Sequence, residues 1–393
     1  DMDGRRHLDG VKRYVTEEGL KSVKNSAIPP NSVMVSCIGS DMGKVSLSVQ
    51  HGVTNQQINT IIPNEEIVDF LYLYYSLLPR KSELQMLASG GSAQPILNKG
   101  QFSQLEVVIP SLKDQKAIAH ILGTLDDKIE LNQKMNQTLE EIAKTIFKSW
   151  FVDFDPVRAK AEGRPTGLPP EISDLFPDEL VDSEIGEIPK GWKLQPLSEQ
   201  IRVNPKYTLK KGTDAYFVEM KCLSESTSSV SEGYERSFTS GSKFQRFDTL
   251  FARITPCLEN GKTGLFLNKS ASDVCWGSTE FIVLSPQDDQ SPLFPYCWAR
   301  SENLRTAAVS SMTGSSGRQR VPNDFFDSYQ VANPDALIHQ TFRKIADPIV
   351  NRINVCNEET TTLSELRDTL LPKLISGELR IPDAEKFLEE AGI

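Results

Sequence analysis

Two kinds of hydrophobic patterning alternate along this chain, and each kind occurs twice. The first is the short alternating run. Asp248-Thr249-Leu250-Phe251-Ala252-Arg253-Ile254 and Glu280-Phe281-Ile282-Val283-Leu284 read as strands, set off by Gly, Pro, Ser and Asn clusters. The second is a long run of three- and four-residue steps. Ile121, Leu125, Ile129, Asn132, Met135, Leu139, Ile142 and Ile146 form one stripe, and Ile345, Ile349, Ile353, Cys356, Thr360, Leu363, Leu366 and Leu370 form the other. A helix of 35–40 residues rising ~1.5 Å per residue is a rod ~55–60 Å long. So narrow a stripe predicts a partner rod rather than packing on the helix's own domain. The opposite face, with Asp126, Asp127, Lys128, Lys134 and Glu140, is expected to be polar and solvated.

The pattern is a true internal repeat. Shifted by 224, one half falls on the other from about Thr54 to Ile375, with Phe70 on Phe294, Tyr72 on Tyr296, Gly90 on Gly314 and Thr145 on Thr369. Upstream the offset slips: Val33–Ile38 resembles Thr249–Ile254 at 216, and Gly43-Lys44 resembles Gly261-Lys262 at 218. Met2 then answers to Met220. The residues from Ile188 that precede Met220 have no counterpart, so by this count the chain starts inside its first domain.

Six segments follow: a first globular domain (1–110), a long helix (111–152), an acidic Pro/Gly linker (153–187), a second globular domain (188–333), a second long helix (334–378) and a tail (379–393). The net charge of −10 argues against nucleic acid until it is divided among them. It is −1 over 1–110 and +2 over 188–333, but −7 over 111–187 and −4 over 334–393. The acidity belongs to helices and linker, which leaves room for a local basic face on either globular domain. Six cysteines without CxxC spacing read as thiols of a reducing cytoplasm, and no run is apolar enough to cross a bilayer.

Catalytic motifs are approached and missed. Asn260-Gly261-Lys262-Thr263 ends like a phosphate-binding loop, but Pro256 stands where the first glycine is required and has no N–H to donate. Pro177-Asp178 lacks the Glu-x-Lys of a nuclease. Asn204-Pro205 and Asn333-Pro334 are turns rather than the Asn-Pro-Pro-aromatic motif of an amino-methyltransferase. The chain reads as a binder with no cofactor or metal of its own.

Several stretches resemble one family, the specificity subunits of type I restriction-modification systems. Phe247 through Lys262 is similar to a hallmark segment of that family, and Ile188-Pro189 with Gly191-Trp192 looks like the start of its target-recognition domain. Gln115–Ala119, Lys148–Phe154 and Pro169-Pro170-Glu171 resemble its central conserved region, and Leu371–Leu379 its distal one. The resemblance covers essentially the whole chain. It implies an α/β fold: two mixed target-recognition domains, separated by two antiparallel spacer helices in a pseudo-two-fold repeat. It implies a split, asymmetric target on double-stranded DNA, with the helices as a ruler. It also implies partners: two modification subunits that bind S-adenosylmethionine, and restriction subunits that use ATP and magnesium. The cofactors belong to those partners.

The candidate DNA-binding residues lie mainly in glycine-rich loops at matching repeat positions, where small residues let the backbone approach a duplex. These are Gly90, Ser92 and Gln94 in the first copy and Ser315, Arg318, Gln319 and Arg320 in the second. Arg253 suits either a phosphate or a carboxylate partner. Lys44 and Lys262, which match across the repeat, suit phosphate. The competing readings are an autonomous enzyme and a scaffold that joins proteins without touching DNA. Methyl transfer by the isolated chain distinguishes the first, and absence of salt-dependent duplex binding the second.

Overall fold

The computed structural model of the chain describes residues 2, 4–11, 13–23, 26–39, 42–88, 96–268, 273–315 and 317–390. They form two units, Asp1–Leu131 with Glu359–Ile393, and Asn132–Glu358. Each long helix, Leu112–Phe151 and Ala336–Ser376, gives its first half to one unit and its second half to the other.

The strands of the first unit are β1 (His7–Leu8), β2 (Ala27–Ile28), β3 (Val33–Ser36), β4 (Val45–Ser48), β5 (Gly52–Val53) and β6 (Ile58–Ile61). A four-stranded sheet runs β1-β4-β3-β6, and β2 pairs with β5 alone. Alternation directs Val33, Val35 and Leu47 onto the helix Phe70–Leu77, whose N-terminal amides at Leu71 and Tyr72 donate to the Asp69 carboxylate. Leu122 and Leu125 of the first long helix and Leu363 and Leu370 of the second close this core.

The second unit holds β7 (Leu180–Ser183), β8 (Gly186–Pro189), β9 (Lys193–Pro196), β10 (Arg202–Val203), β11 (Asp214–Val218), β12 (Tyr234–Ser237), β13 (Ser242–Phe244), β14 (Thr249–Ala252), β15 (Thr263–Leu265), β16 (Cys275–Gly277), β17 (Phe281–Ser285) and β18 (Gln330–Asn333). Two four-stranded sheets, β10-β17-β14-β15 and β12-β11-β16-β13, enclose a small core of Val218, Phe244, Leu250, Phe266 and Phe281. The main core lies on the other face of β14 and β17, where Phe251 and Ile282 meet the helix Leu293–Arg300 and both long helices. There the two rods run antiparallel: Asn136 pairs with Asn357 at one end, while Phe147 packs on Phe342 and Phe151 on His339 at the other.

The repeat survives at the level of single hydrogen bonds. Ser36 N–H donates to Lys44 O as Ala252 N–H donates to Lys262 O, and Leu97 N–H to Cys37 O as Val321 N–H to Arg253 O. Asn31 and Phe247, equivalent by sequence, both adopt positive φ (65° and 76°). The strand register refines the alignment. Val33 faces Ile61 where Thr249 faces Leu284, so β6 answers to β17 at an offset of 223, not 224.

Two expectations are corrected. Beyond Asn132, Leu139 and Ile146 of the expected stripe only flank the core, half-buried, and Ile142 is outside it. The most buried line runs one residue later, through Glu140, Ala143, Phe147 and Trp150, and leaves Ile142 45% exposed. The helix has a partner rod and also enters both cores. Asp126 and Glu140, expected on the polar face, are buried. The Asp126 carboxylate accepts from Tyr75 Oη (2.7 Å) and Arg367 Nη1 (2.8 Å). Glu140 accepts from Ser228 N–H (2.9 Å), Ser228 Oγ (2.5 Å) and Tyr296 Oη (2.9 Å). Burial and the adjoining Glu140 carboxylate hold the Tyr296 phenol far above its ordinary pKa, so its proton stays to be donated. Arg300 completes the cluster. It donates to Tyr296 Oη and to the main-chain carbonyls of Ser224, Glu225, Thr227, Gly261 and Thr263.

The segment 153–187 is also more than a linker. It carries the helix Asp155–Ala161 and the β7–β8 hairpin, and buries Phe154, Val157 and Phe176 in the main core. Lys160 Nζ ties it together by donating to the carbonyls of Ser173 and Phe176.

Two predictions follow from these contacts. His339 stacks on Phe151 (5.5 Å), meets Phe294 edge-on (4.8 Å), and burial lowers its pKa to about 4. The unfolded chain binds this proton below about pH 6.5 and the folded chain does not. Stability is therefore undiminished above pH 6.5 and falls as pH drops, by about 3 kcal/mol at pH 4. Unfolding titrations across this window should show a shallower pH dependence for His339→Phe than for the parent; identical slopes would refute the assignment. Arg300→Met leaves the carbonyls around 224–228 without their cation and should cost on the order of 3 kcal/mol in urea unfolding. Arg300→Lys should recover only part of it, because a point charge cannot reach five carbonyls. An unchanged midpoint for the Met variant would remove Arg300 from this role.

Candidate nucleic-acid interface

The loop Thr313–Arg320 is held at its two ends. Thr313 and Arg320 exchange backbone hydrogen bonds (3.0 and 2.9 Å), and Arg320 also bridges to Ile254 of the hallmark segment. Gln319 N–H donates to Thr255 Oγ1 (3.2 Å), and Thr255 N–H donates back to Gln319 O (3.1 Å). Between these ties Ser315 and Arg318 are exposed, and Arg318 N–H donates to Ser315 O (2.9 Å). Gly314 and Gly317 take positive φ of 125° and 77°, and no atom lies within 4 Å of where a Cβ on Gly317 would stand. The result is an open turn that projects Arg318 from a fixed base.

Arg320 is differently placed. Its guanidinium grips the Glu280 carboxylate through Nε (2.9 Å) and Nη2 (2.7 Å), and Nη1 donates to Arg318 O. The Glu280 contact raises the arginine pKa. Because the pair is exposed it adds little stability, but it positions the cation. By sequence Ser278-Thr279-Glu280 suits either a DNA-facing segment or a strand-end cap, and Glu280 N–H donates to Ser278 Oγ as in a cap. Pairing with Arg320 was not legible, since 40 residues separate the two.

The other candidates are tied into the protein. Arg253 donates to Asn323 Oδ1 (2.7 Å) and Val321 O (2.5 Å), so it braces the segment that follows the loop rather than a carboxylate. Lys262 Nζ donates to Met220 O (3.4 Å) and Lys44 Nζ to Met2 O (3.3 Å). Two matched lysines thus hold two matched carbonyls. Gly90, Ser92 and Gln94 lie outside the described residues, but the base of their loop is equivalent. Ile38 bridges to Ile96 as Ile254 bridges to Arg320.

The segment resembling a phosphate-binding loop is chemically the reverse of one. The N–H groups of Asn260, Gly261 and Lys262 donate to the carbonyls of Pro256, Leu258 and Cys257, and the carbonyls of Gly261 and Thr263 face Arg300. No cradle of free amides remains for an anion. Among the described residues, no group of three His, Cys, Asp or Glu could hold a metal ion, and no helix is long and apolar enough to cross a membrane.

Two cations lying over aromatic rings were missed by sequence reading. Arg236, on the exposed edge strand β12, lies 5.0 Å over the Phe217 ring and 5.6 Å from that of Trp276, and Lys243 lies over Phe238. The alternation of β11 could have shown Phe217 on one face, but not the cations that cover it.

Comparison with known proteins bears on these features. The family model for the type I restriction modification DNA specificity domain matches residues 5–141. The type I restriction enzyme MjaIX specificity subunit of Methanocaldococcus jannaschii is 26% identical over 391 residues, spanning 96% of this chain and 84% of that one. The HindI specificity subunit of Haemophilus influenzae is 26% identical over 425 residues, spanning 96% and 90%. Among solved structures, a type I restriction-modification S subunit from M. genitalium covers 95% of this chain and 89% of its own at 16% identity, with a TM-score of 0.47. Over nearly its whole length the chain is similar to type I restriction specificity subunits, and its residues 5–141 match the DNA specificity domain of such systems.

Proposed function

We propose that each unit reads one half of a bipartite, asymmetric sequence in double-stranded DNA, and that the two long helices fix the separation of the halves. The observation that carries this reading is a loop base built twice, with different residues in the sequence that it carries. The backbone bonds at the loop base repeat, while Ile96 and Gln94 stand where the second copy has Arg320 and Arg318. Equal loop bases carrying unequal sequences suit two readers of unlike half-sites. The partners in this reading are two modification subunits docked on the helices and restriction subunits beyond them. S-adenosylmethionine, ATP and magnesium are bound by those partners. Lys44, Lys262 and Arg253 then act by holding the recognition frame, and Arg318 is the sharpest candidate for contact with a base or phosphate.

The test is a titration of the reconstituted methyltransferase against duplexes randomised in each half-site, at two salt concentrations. Arg318→Ala should weaken specific binding by ~1–3 kcal/mol if it reads a base, or lower the salt slope by about one if it contacts phosphate. Only the second half-site should respond. Arg320→Ala also leaves Glu280 uncompensated beside DNA, so the double variant Arg320→Ala, Glu280→Gln isolates the arginine's own contribution. If all three match the parent in affinity, slope and base preference, the loop is a connector.

A further experiment addresses the ruler. Because the helices pair antiparallel, two turns must be added to both: seven residues after Leu131 and seven after Glu358. This lengthens each rod by ~10 Å, or about three base pairs. The preferred spacing should increase while the bases of each half stay fixed. Unchanged spacing with altered base preference would refute the ruler.

A further inference from the structure

The sheet β12-β11-β16-β13 of the second unit has two unlike faces. Alternation sends Tyr216 and Val218 of β11 and Phe244 of β13 inward to the small core. Strand register leaves Phe217, Tyr234, Arg236, Trp276 and Lys243 on the outer face, with Tyr234 opposite Phe217 and Lys243 opposite Trp276. Phe217, Trp276 and the nearby Phe238 form an aromatic layer there, the other two rings lying 4.3 and 5.3 Å from that of Trp276. Arg236 and Lys243 cover it. The carboxylates of the same strands, Asp214 and Glu235, alternate to the opposite side, and Asp214 accepts from Ser237.

A basic loop borders this face. Residues 204–213 hold Lys206, Lys210 and Lys211, all exposed, and no Asp or Glu. The loop is fastened to the aromatic layer: Leu209 packs on it, Gly212 N–H donates to Phe238 O (2.9 Å), Phe238 N–H to Thr213 O (2.8 Å) and Lys243 Nζ to Tyr207 O (3.2 Å). Exposed arginines elsewhere in the unit are paired, Arg202 with Asp288, Arg320 with Glu280 and Arg343 with Asp347. Arg236 and the three loop lysines have no carboxylate within 4 Å among the described residues. Glu219, held below the usual carboxylate range by Lys221 first and Arg236 last, is already ion-paired with Lys221.

Resting on the reading of the second unit as a reader of duplex DNA, we infer that this outer face lies on the sugar-phosphate backbone, with Arg236, Lys210 and Lys211 on phosphates. The rings hold the Arg236 guanidinium by its face and leave its N–H edge to an anion. The occupant is a polyanion rather than a single phosphate, because Arg236 and Lys243 stand on the two outer strands of four. At ~4.8 Å per strand these are ~14 Å apart, more than one phosphate can bridge. The face therefore contributes affinity and orientation, while sequence is read elsewhere in the unit.

The test titrates the reconstituted methyltransferase against duplexes randomised in each half-site, over a series of salt concentrations. Arg236→Gln should weaken binding to every duplex about threefold or more and lower the slope of log affinity against log salt by about one. Lys210→Gln combined with Lys211→Gln should lower the slope by about one to two. Base preference in both half-sites should remain that of the parent, since phosphates carry no sequence information. Arg236→Lys keeps the charge and should restore the slope. Lys190→Gln removes the same charge from the ion pair with Glu179 and should leave the slope unchanged. Parental slopes in both Arg236→Gln and the lysine pair, in a complex that still binds its target specifically, overturn the inference and leave the recognition reading intact. An equal fall in Lys190→Gln, or an altered base preference, overturns it as well. A parent complex without sequence-specific binding overturns both. If Arg236→Gln fails to fold, the lysine pair decides.

Discussion

A carboxylate set into an apolar stripe is the constraint on which the second unit depends. Glu140 occupies a position that helical spacing reserves for the core, and a buried charge is tolerated only when its hydrogen bonds are complete. Ser228 and Tyr296 provide them, and Arg300 orders the loop that carries Ser228. One group therefore fixes three things at once: the rotation of the first long helix, the path of 224–228, and the seat of the helix Leu293–Arg300. Asp126 does similar work in the first unit with different partners, Tyr75 and Arg367.

Much of the architecture was written in the chain because repetition is visible without coordinates. The matches Tyr72 with Tyr296 and Lys44 with Lys262 located two copies, and three- and four-residue steps gave two long helices. Beyond Asn132 the centre of the stripe was missed, with Leu139 and Ile146 only at its flank, because Glu140 was assigned to the polar face on charge alone. Its spacing with Ala143, Phe147 and Trp150 was the better signal. The β6 offset was misplaced by one for a related reason: side-chain identity cannot show which residues face each other across a ladder, whereas backbone pairing does.

The candidate site was less legible. The glycines of 314–317 correctly suggest an open turn, since positive φ is costly for other residues. What sequence could not supply was the partner of each cation. Arg320 with Glu280, Arg253 with Asn323 and Lys262 with the Met220 carbonyl all join residues brought together only by folding. Proximity of several cations in sequence thus overstated the number available to a ligand. Conversely, Arg236 and Lys243 were overlooked because the aromatic rings beneath them belong to other strands.

The boundary between the units falls inside both long helices, between Leu131 and Asn132 and between Glu358 and Glu359. A loop can open on one side and leave its neighbour intact, but an α-helix crossing a boundary carries each amide's bond to a carbonyl four residues back. Two units joined in this way have continuous helical hydrogen bonding across their boundary, even though their sheets, loops and cores are built separately.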